Sequence, residues 1–387
     1  MVGLPITAVC FFQVSTSYNQ FQLVYTDYMT LSEFSYYVRK FGPFALIGLV
    51  VFIIFYLILT AVITAISNRP VVVQYQPPFG KLDPIVFSRS IDYPPNISFT
   101  LENLEGRPVT ATSSALVFPM LPSRTRFGYQ QTIGYMARAV GVDIEKTPYT
   151  IEALAAIYND GIRKLTINIT DYNFTFETDY NQIADVFATA IIPDENIIRE
   201  EARSFMRQMN KYSSAFAQGR DNIIYLRYES ATQDFTVVKN PEDANVVEVD
   251  FFPPDVDIFP NVTPKYYNSQ NYVTFVFRPE GNVIIKAQVS NFVKDLANGG
   301  YYPLKTGDQA YQELLDKKAT IVSTAKGGNH VIIRDMFVGY YDPEIFQPYY
   351  LPVYVFLGDD GFVAYVSAID NAYIKSNSVS APSTKSP

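Results

Sequence analysis

The sequence predicts an α+β protein: a single N-terminal transmembrane helix followed by a two-lobed extracytoplasmic body of antiparallel sheets with a few packed helices. Three observations carry that prediction. Pro43 to Ile66 is a run of twenty-four residues without a charge, and about twenty suffice to cross the hydrocarbon core of a bilayer. Beyond it, short apolar runs, some alternating with period two, recur between Pro and Gly turn signals, as strands do. A few segments among them carry helical spacing instead.

Arg39 and Lys40 precede the apolar run and only Arg69 closely follows it. The positive-inside rule therefore puts the N-terminus in the cytoplasm and Val71 to Pro387 outside. Residues 1–42 read as a cytoplasmic leader. Met1 to Ser15 is apolar but lacks the basic flank and small-residue cleavage site of a secretory signal. Met29-Thr30-Leu31-Ser32-Glu33 opens a helix, with Thr30 as N-cap and Glu33 closing a capping box, which makes Met29 a candidate natural start. Residues 67–83 carry Pro70, Pro77, Pro78 and Gly80 and read as an extended stalk.

The first lobe, residues 84–190, begins with strand-like runs at Ile85 to Phe87, Ile97 to Leu101 and Leu116 to Phe118. Arg124 to Val140 then places Phe127, Ile133, Met136, Ala137 and Val140 on one helical face, closed by Gly141. Strands follow at Leu154 to Tyr158, Lys164 to Ile169 and Phe174 to Thr178. The second lobe, residues 191–370, opens on a helix at Asp194 to Met209, acidic at its front and with Arg207 near its end, in agreement with the helix dipole. Its position between the two sets of strands reads as a hinge. Strands recur at Ile223 to Tyr228, Asp234 to Val238, Val246 to Phe252, Tyr272 to Phe277 and Val283 to Val289. After a helix at Gly307 to Leu315 come Thr320 to Ser323, Val331 to Tyr341, Tyr350 to Leu357 and Phe362 to Ile369, the last two joined by the Gly358-Asp359-Asp360-Gly361 turn. Residues 371–387, rich in Ser, Asn and Pro, read as a disordered tail.

Composition narrows the function classes. With 48% hydrophobic, 15% aromatic and 18% charged residues the chain is built to fold. Formal charge is −8, and the residues before Val71 sum to +1, leaving the outer body at −9. A net acidic body argues against nucleic acid as a partner. The single cysteine, Cys10, lies before the apolar run, so the outer body holds no disulfide, thiolate metal site or cysteine nucleophile.

Catalytic signatures are sparse. The one histidine, His330, stands at the start of a strand-like run, too little for an ordinary zinc site. No Gly-x-Ser-x-Gly elbow places a serine opposite it. Acidic pairs occur at Asp255 and Asp257, at Asp359 and Asp360, and at Glu200 and Glu201. Their closeness in sequence fits turns and helix faces better than a cleft of two carboxylates, and calcium at Asp255 and Asp257 lacks the EF-hand spacing. We therefore expect no catalytic residue and no cofactor. Asn-x-Ser/Thr sequons at Asn96, Asn168, Asn173 and Asn261 fit chance in so Asn- and Thr-rich a chain. The pairs Tyr266-Tyr267, Tyr301-Tyr302, Tyr340-Tyr341 and Tyr349-Tyr350 draw more interest. Each suits a strand with one ring in the core and one outside, while exposed tyrosines make good contact area. Tyr340, Tyr341, Tyr349 and Tyr350 are the candidate partner surface.

The last seventy residues run YYPLKTGDQAYQELLDKKATIV, HVIIRDMFVGYYDP and YYLPVYVFLGDDGFVAYVSAID. A Tyr-Pro entry, a short helix with Asp308, Ala310 and Leu314, a strand ending in Tyr340-Tyr341 and a closing hairpin follow in that order. From Tyr301 to Asp370 this resembles the C-terminal lobe of the YycH/YycI group and, more distantly, PepSY-type domains. The resemblance implies a membrane-anchored bacterial protein that regulates a sensor histidine kinase from outside the cell, and it brings no catalytic residues. The expectation is a non-enzymatic, single-pass binding or regulatory protein of the cell membrane, touching the bilayer through residues 43–66 and a membrane or envelope partner through its body. A cell-envelope enzyme or protease inhibitor using acidic residues, and a structural component of an envelope assembly, are the alternatives.

Overall fold

A computed structural model of the chain describes residues 31–67, 77–183, 185–325 and 329–375. The leader before Leu31 with its Thr30 cap, the stalk between 68 and 76, the Gly327-Gly328 pair and the tail from 376 lie outside the described residues. The chain divides into two compact units, Met1–Gln74 and Tyr75–Pro387.

In the first unit the described residues form the helix α1 (Leu31–Ser67), which runs through Pro43 and is long and apolar enough over Arg39–Thr60 to cross a membrane. The Thr60 hydroxyl in that run donates back to the carbonyls of Tyr56 (3.0 Å) and Leu57 (2.9 Å), which satisfies it within the helix.

The second unit contains, in chain order, β1 (Ser98–Leu101), β2 (Ser114–Pro119), α2 (Tyr129–Ala139), β3 (Thr150–Glu152), β4 (Ala155–Asn159), β5 (Arg163–Asn168), β6 (Phe174–Thr178), α3 (Asp185–Ala188), α4 (Glu195–Gln208), α5 (Ser214–Gln218), β7 (Arg220–Glu229) and β8 (Asp234–Val237). There follow β9 (Val246–Phe252), β10 (Asn261–Val262), β11 (Tyr272–Val276), β12 (Val283–Val289), β13 (Gly300–Pro303), α6 (Gly307–Leu315), β14 (Thr320–Ser323), β15 (His330–Tyr341), β16 (Tyr349–Gly358) and β17 (Val363–Ser367). The architecture is mixed α+β with two sheets and few helices.

One sheet has nine strands in the order β3-β4-β5-β6-β12-β11-β9-β7-β8, and the pairings along it are antiparallel. The other has eight, with β1-β15-β16-β17-β14 as its spine and β2, β10 and β13 attached. Against the expectation of purely antiparallel sheets, β1 and β10 join β15 in parallel, since both arrive from far along the chain rather than through a hairpin. The sheets also cut across the lobe boundary expected at residue 190. β6 pairs with β12 (Phe176 opposite Ala287), so the nine-stranded sheet draws on residues from both sides of it, and the eight-stranded sheet takes β1 and β2 from the front of the chain.

α4 is not a hinge. Its cap Asp194 accepts the N–H of Asn196, and Ile198, Ala202, Phe205 and Met206 at helical spacing bury against Val247, Val249 and Phe251 of β9. Four such buried side chains contribute about 1.5–3 kcal/mol each where large, which fixes the helix to the sheet. α2 starts five residues later than its spacing suggested, because Gly128 at its N-cap takes the left-handed conformation. Ile85 to Phe87 is not a strand: the Gln347 amide accepts the N–H of Val86 at 3.1 Å and donates to its carbonyl at 2.8 Å, standing in for a neighbouring strand. The ends of the unit are packed as well. Leu82 is fully buried and bridges Ile374, Phe79 lies against Tyr302 and Tyr349, and Lys375 pairs with Asp83 at 2.8 Å. Residues 77–83 are therefore body rather than stalk, and 371–375 are body rather than tail, because apolar side chains at both ends find a common core.

Candidate functional site

The tyrosines chosen from the sequence are mostly core. Tyr340, Tyr341 and Tyr350 are 1%, 2% and 1% exposed, and Tyr349 is half-buried. As a partner surface they fail, for a topological reason: β16 lies between β15 and β17, is also met by β2, and is buried from Tyr350 through Phe356, so alternation on this strand does not lead to solvent. The one-in, one-out reading holds for Tyr301 (59% exposed) and Tyr302 (0%).

The acidic pairs are dispersed and engaged. Asp255 accepts the N–H of Asn261 at 2.9 Å, Asp359 takes a two-pronged bond from Arg334, Glu200 pairs with Arg207, and Glu201 accepts from Asn282. Among the described residues no group of three His, Cys, Asp or Glu side chains is placed to hold a metal ion. His330 sits exposed at the start of β15, 3.0 Å from Ser98 Oγ of the neighbouring β1. Of the sequons, Asn261 is buried, and Asn173 Oδ1 accepts from the Lys211 ammonium and the N–H of Asn291.

What sequence reasoning missed is a cavity of about 400 Å³ where the two sheets adjoin, walled by Pro253, Pro254, Phe292 and Val293 and floored by Asn261, Lys294 and Tyr350. Local chemistry places each part. Pro253 and Pro254 have no N–H to continue β9, so the chain leaves the nine-stranded sheet there. Asp255 then closes the loop onto Asn261, which enters β10 opposite Tyr340. The approach needs a glycine, since a Cβ at Gly339 would stand 2.8 Å from the Pro260 carbonyl oxygen. Gly219, after α5, likewise sits where a Cβ would collide with the Phe252 carbonyl, and so lets α5 close over the prolines.

The electrostatics of the floor are compensated. Lys294 Nζ is 2.7 Å from the carboxylate of fully buried Asp342, whose second oxygen accepts from Gln270 Nε2 at 2.9 Å. The ammonium also stands 5.0 Å from the centre of the Tyr350 ring. Two side-chain atoms of these lining residues are buried without a hydrogen-bond partner: the hydroxyl of Tyr350 and Oδ1 of Asn261. Burial, and then the charge of Asp342, push the Tyr350 phenol well above its ordinary range, so it stays protonated and a donor.

Tyr350 departs from its neighbours. Tyr302, Tyr340, Tyr354 and Tyr365 are as buried, and each donates to a carbonyl, of Gly80, Leu116, Lys305 and Thr263 respectively. An unsatisfied buried polar group costs about 1–3 kcal/mol, and two of them belong to residues that line this cavity.

A buried polar tripeptide, Ser269-Gln270-Asn271, stitches the sheets together beside this site. The Ser269 N–H donates to Asp250 of β9 at 2.8 Å, Gln270 reaches Asp342 beyond β15, and Asn271 Oδ1 accepts the N–H of Ser290 at 2.9 Å. Asp250 shares its face of β9 with Glu248. Burial and the nearby Glu248 push Asp250 up to about 8, and burial raises Glu248 as well. A raised acid is a catalytic candidate only in a cleft, and neither carboxyl lines the cavity.

No family model matches the chain, and no curated protein matches it. Among solved structures, the crystal structure of an uncharacterized protein from Eubacterium rectale is similar at 13% identity over 67% of this chain and 84% of that one, with a TM-score of 0.35.

Proposed function

We propose that the chain is a non-enzymatic, single-pass membrane protein whose extracytoplasmic body binds a small ligand in the cavity floored by Asn261, Lys294 and Tyr350, and regulates a membrane or envelope partner by contact. The observation that carries the binding reading is the cavity itself, about 400 Å³ within the range of small-molecule sites, with apolar Pro253, Pro254, Val256, Phe292, Val293 and Leu296 beside polar residues such as Asn261 and Lys294 in its lining. The membrane reading is supported by the length and apolarity of α1, and the orientation by Arg39 and Lys40 on one side of it. Among the described residues Asp255, Asp359, Glu200 and Glu201 are held in ion pairs and local hydrogen bonds, which supports the non-enzymatic reading.

The test is a photo-crosslinking amino acid at Leu296, which lines the cavity, in the protein in its native membrane, with the more exposed Val237 on β8 as the control position. Capture of one defined species through position 296, absent from position 237 and lost in Phe292→Ala, which opens the cavity wall, supports the reading. Equal capture at both positions, or capture indifferent to Phe292, would remove it.

A further inference from the structure

We propose that the loop 121–127 is a juxtamembrane contact that seats on anionic phospholipid, with Arg124 and Arg126 on the headgroups and Phe127 among the upper acyl chains. It rests on the reading of α1 as a membrane helix. Position comes first. Pro78 packs so closely on Gly300 that a Cβ there would stand 2.2 Å from its ring, and the ring of the next residue, Phe79, lies 5.4 Å from that of Tyr349. Gly300 pairs with Val117 and Tyr349 with Pro119, both on β2. The chain thus enters the body against the end of β2, and the loop leaves from that same end, two residues beyond Pro119. Nine residues, 68–76, precede the entry, and at full extension they span about 30 Å. On the membrane reading the chain therefore reaches β2 soon after leaving the lipid.

Exposure and charge set the loop apart. Residues 121–128 are all exposed, Phe127 fully so. Leu121 donates its N–H to the carbonyl of Val293 at 2.9 Å, which brings a further exposed apolar residue beside it. Residues 106–142 carry Arg107, Arg124, Arg126 and Arg138 and no acid, in a body of net charge −9. The arginines that form ion pairs among the described residues are Arg163, Arg199, Arg203, Arg207 and Arg334. Arg124 and Arg126 are left without one.

These features meet at one place. Arg124 and Arg126 line an open depression of about 410 Å³ together with Leu121 and Val293. Two uncompensated guanidiniums suit a phosphate, and exposed apolar residues rimmed by polar ones suit an apolar medium. An anionic phospholipid supplies both, whereas a free phosphate supplies only the first. An acidic protein surface would also meet the charges, but the short tether keeps lipid at hand whatever else is present.

The experiment places a nitroxide label at position 127 (Phe127→Cys in a Cys10→Ser background), where the apolar label replaces the ring, in the protein in nanodiscs holding one copy each. Val237→Cys on β8 is the exposed control. Discs are of phosphatidylcholine alone or of an equal mixture with phosphatidylglycerol. Electron paramagnetic resonance reads each label's access to oxygen, which concentrates in lipid, and to a water-soluble nickel chelate. In mixed discs the label at 127 is expected to be shielded from nickel and open to oxygen, while that at 237 stays in water. Arg124→Gln with Arg126→Gln is expected to lower the ratio of lipid-seated to free loop at least about tenfold, and phosphatidylcholine alone to lower it in the same direction. Both arginines are exposed on a loop, so folding is not at stake. A label at 127 as wet as that at 237 in mixed discs overturns the proposal, as does lipid contact indifferent to the arginines and to lipid charge. Shielding that appears only in discs holding two copies assigns the face to a second copy of the chain and overturns it too. A label at Ile54→Cys, within α1, decides the membrane reading separately: nickel access there removes that reading and the proposal with it, whereas a lipid-buried label at 54 with a wet one at 127 removes the loop assignment alone.

Discussion

Two buried carboxylates lie on either side of the tripeptide Ser269-Gln270-Asn271, and they are handled in opposite ways. Asp342, on the side of the eight-stranded sheet, is met by the Lys294 ammonium at 2.7 Å and by the Gln270 amide. Asp250, on β9 of the nine-stranded sheet, is met by the Ser269 N–H, has Glu248 two residues away on the same face, and feels only a weaker influence of Lys265. Both side chains are fully removed from water. Burial alone therefore does not decide how a carboxyl is held: one is neutralised by a partner, the other by retaining its proton. The cavity lies beside the neutralised pair, with Lys294 in its lining.

The sharpest way to break this contrast is to remove the cation. Lys294→Met leaves Asp342 charged and unpaired in the interior, and we expect a loss of about 3–5 kcal/mol in chemical denaturation. The double variant Lys294→Met, Asp342→Leu should recover most of it. A loss under about 1 kcal/mol in the single variant would mean that the pair is solvated and the contrast empty.

The second probe is pH. Asp250 holds its proton in the folded state up to about 8, whereas in the unfolded chain it loses it near about 4. Between those values the folded state binds more protons, so stability falls as pH rises, by at most about 1.4 kcal/mol per unit for one group, and levels off above about 8. Glu248, also raised, titrates as part of the same pair. Asp250→Asn should flatten the slope and raise stability at alkaline pH. An unchanged slope between pH 5 and pH 8, measured as unfolding midpoint against pH at about one-unit steps, would show that Asp250 is not the group concerned.

A smaller effect of opposite sign separates Tyr350 from the tyrosines around it. Tyr350→Phe deletes a hydroxyl without a partner and is expected to raise stability by about 1 kcal/mol, while Tyr354→Phe deletes a bond to the Lys305 carbonyl and is expected to cost about 1 kcal/mol. Losses of equal size in both would show that Tyr350 has a structural partner. The least effect on the pH slope is expected from Ser269→Ala. It removes Oγ bonds to the Phe251 carbonyl and from the Asn271 N–H but keeps the backbone donor to Asp250, so it should cost about 1–3 kcal/mol and leave the pH slope as it was.

Local patterns were the legible part of the fold. β6, β9, β12, α6 and β14 lie where their periodicity put them, and α6 carries the capping box in which Thr306 accepts from the Gln309 N–H and Gln309 Oε1 accepts from the Thr306 N–H. Those signals are confined to a few consecutive residues. The misreadings were all about partners. The span from 194 to 209 was legible as a helix but not as a packed one, and Ile85 to Phe87 was apolar enough for a strand until Gln347, 261 residues away, took its backbone bonds. The cavity was less legible still. The double proline and the Tyr349-Tyr350 pair stood out as local features, but no spacing links Asn261, Lys294 and Tyr350.

By itself, then, the sequence determined the apolar helix, the α+β class, the extent of most strands and the lack of a cysteine or histidine cluster, because each depends on composition or on neighbours a few residues apart. Only the tertiary structure decided that the sheets mix front and back of the chain, that Tyr340, Tyr341 and Tyr350 lie inside, and that one of those tyrosines carries a hydroxyl without a partner. The physical reason is that hydrogen-bond satisfaction and burial are properties of what surrounds an atom, and here the surroundings come from segments up to 292 residues apart.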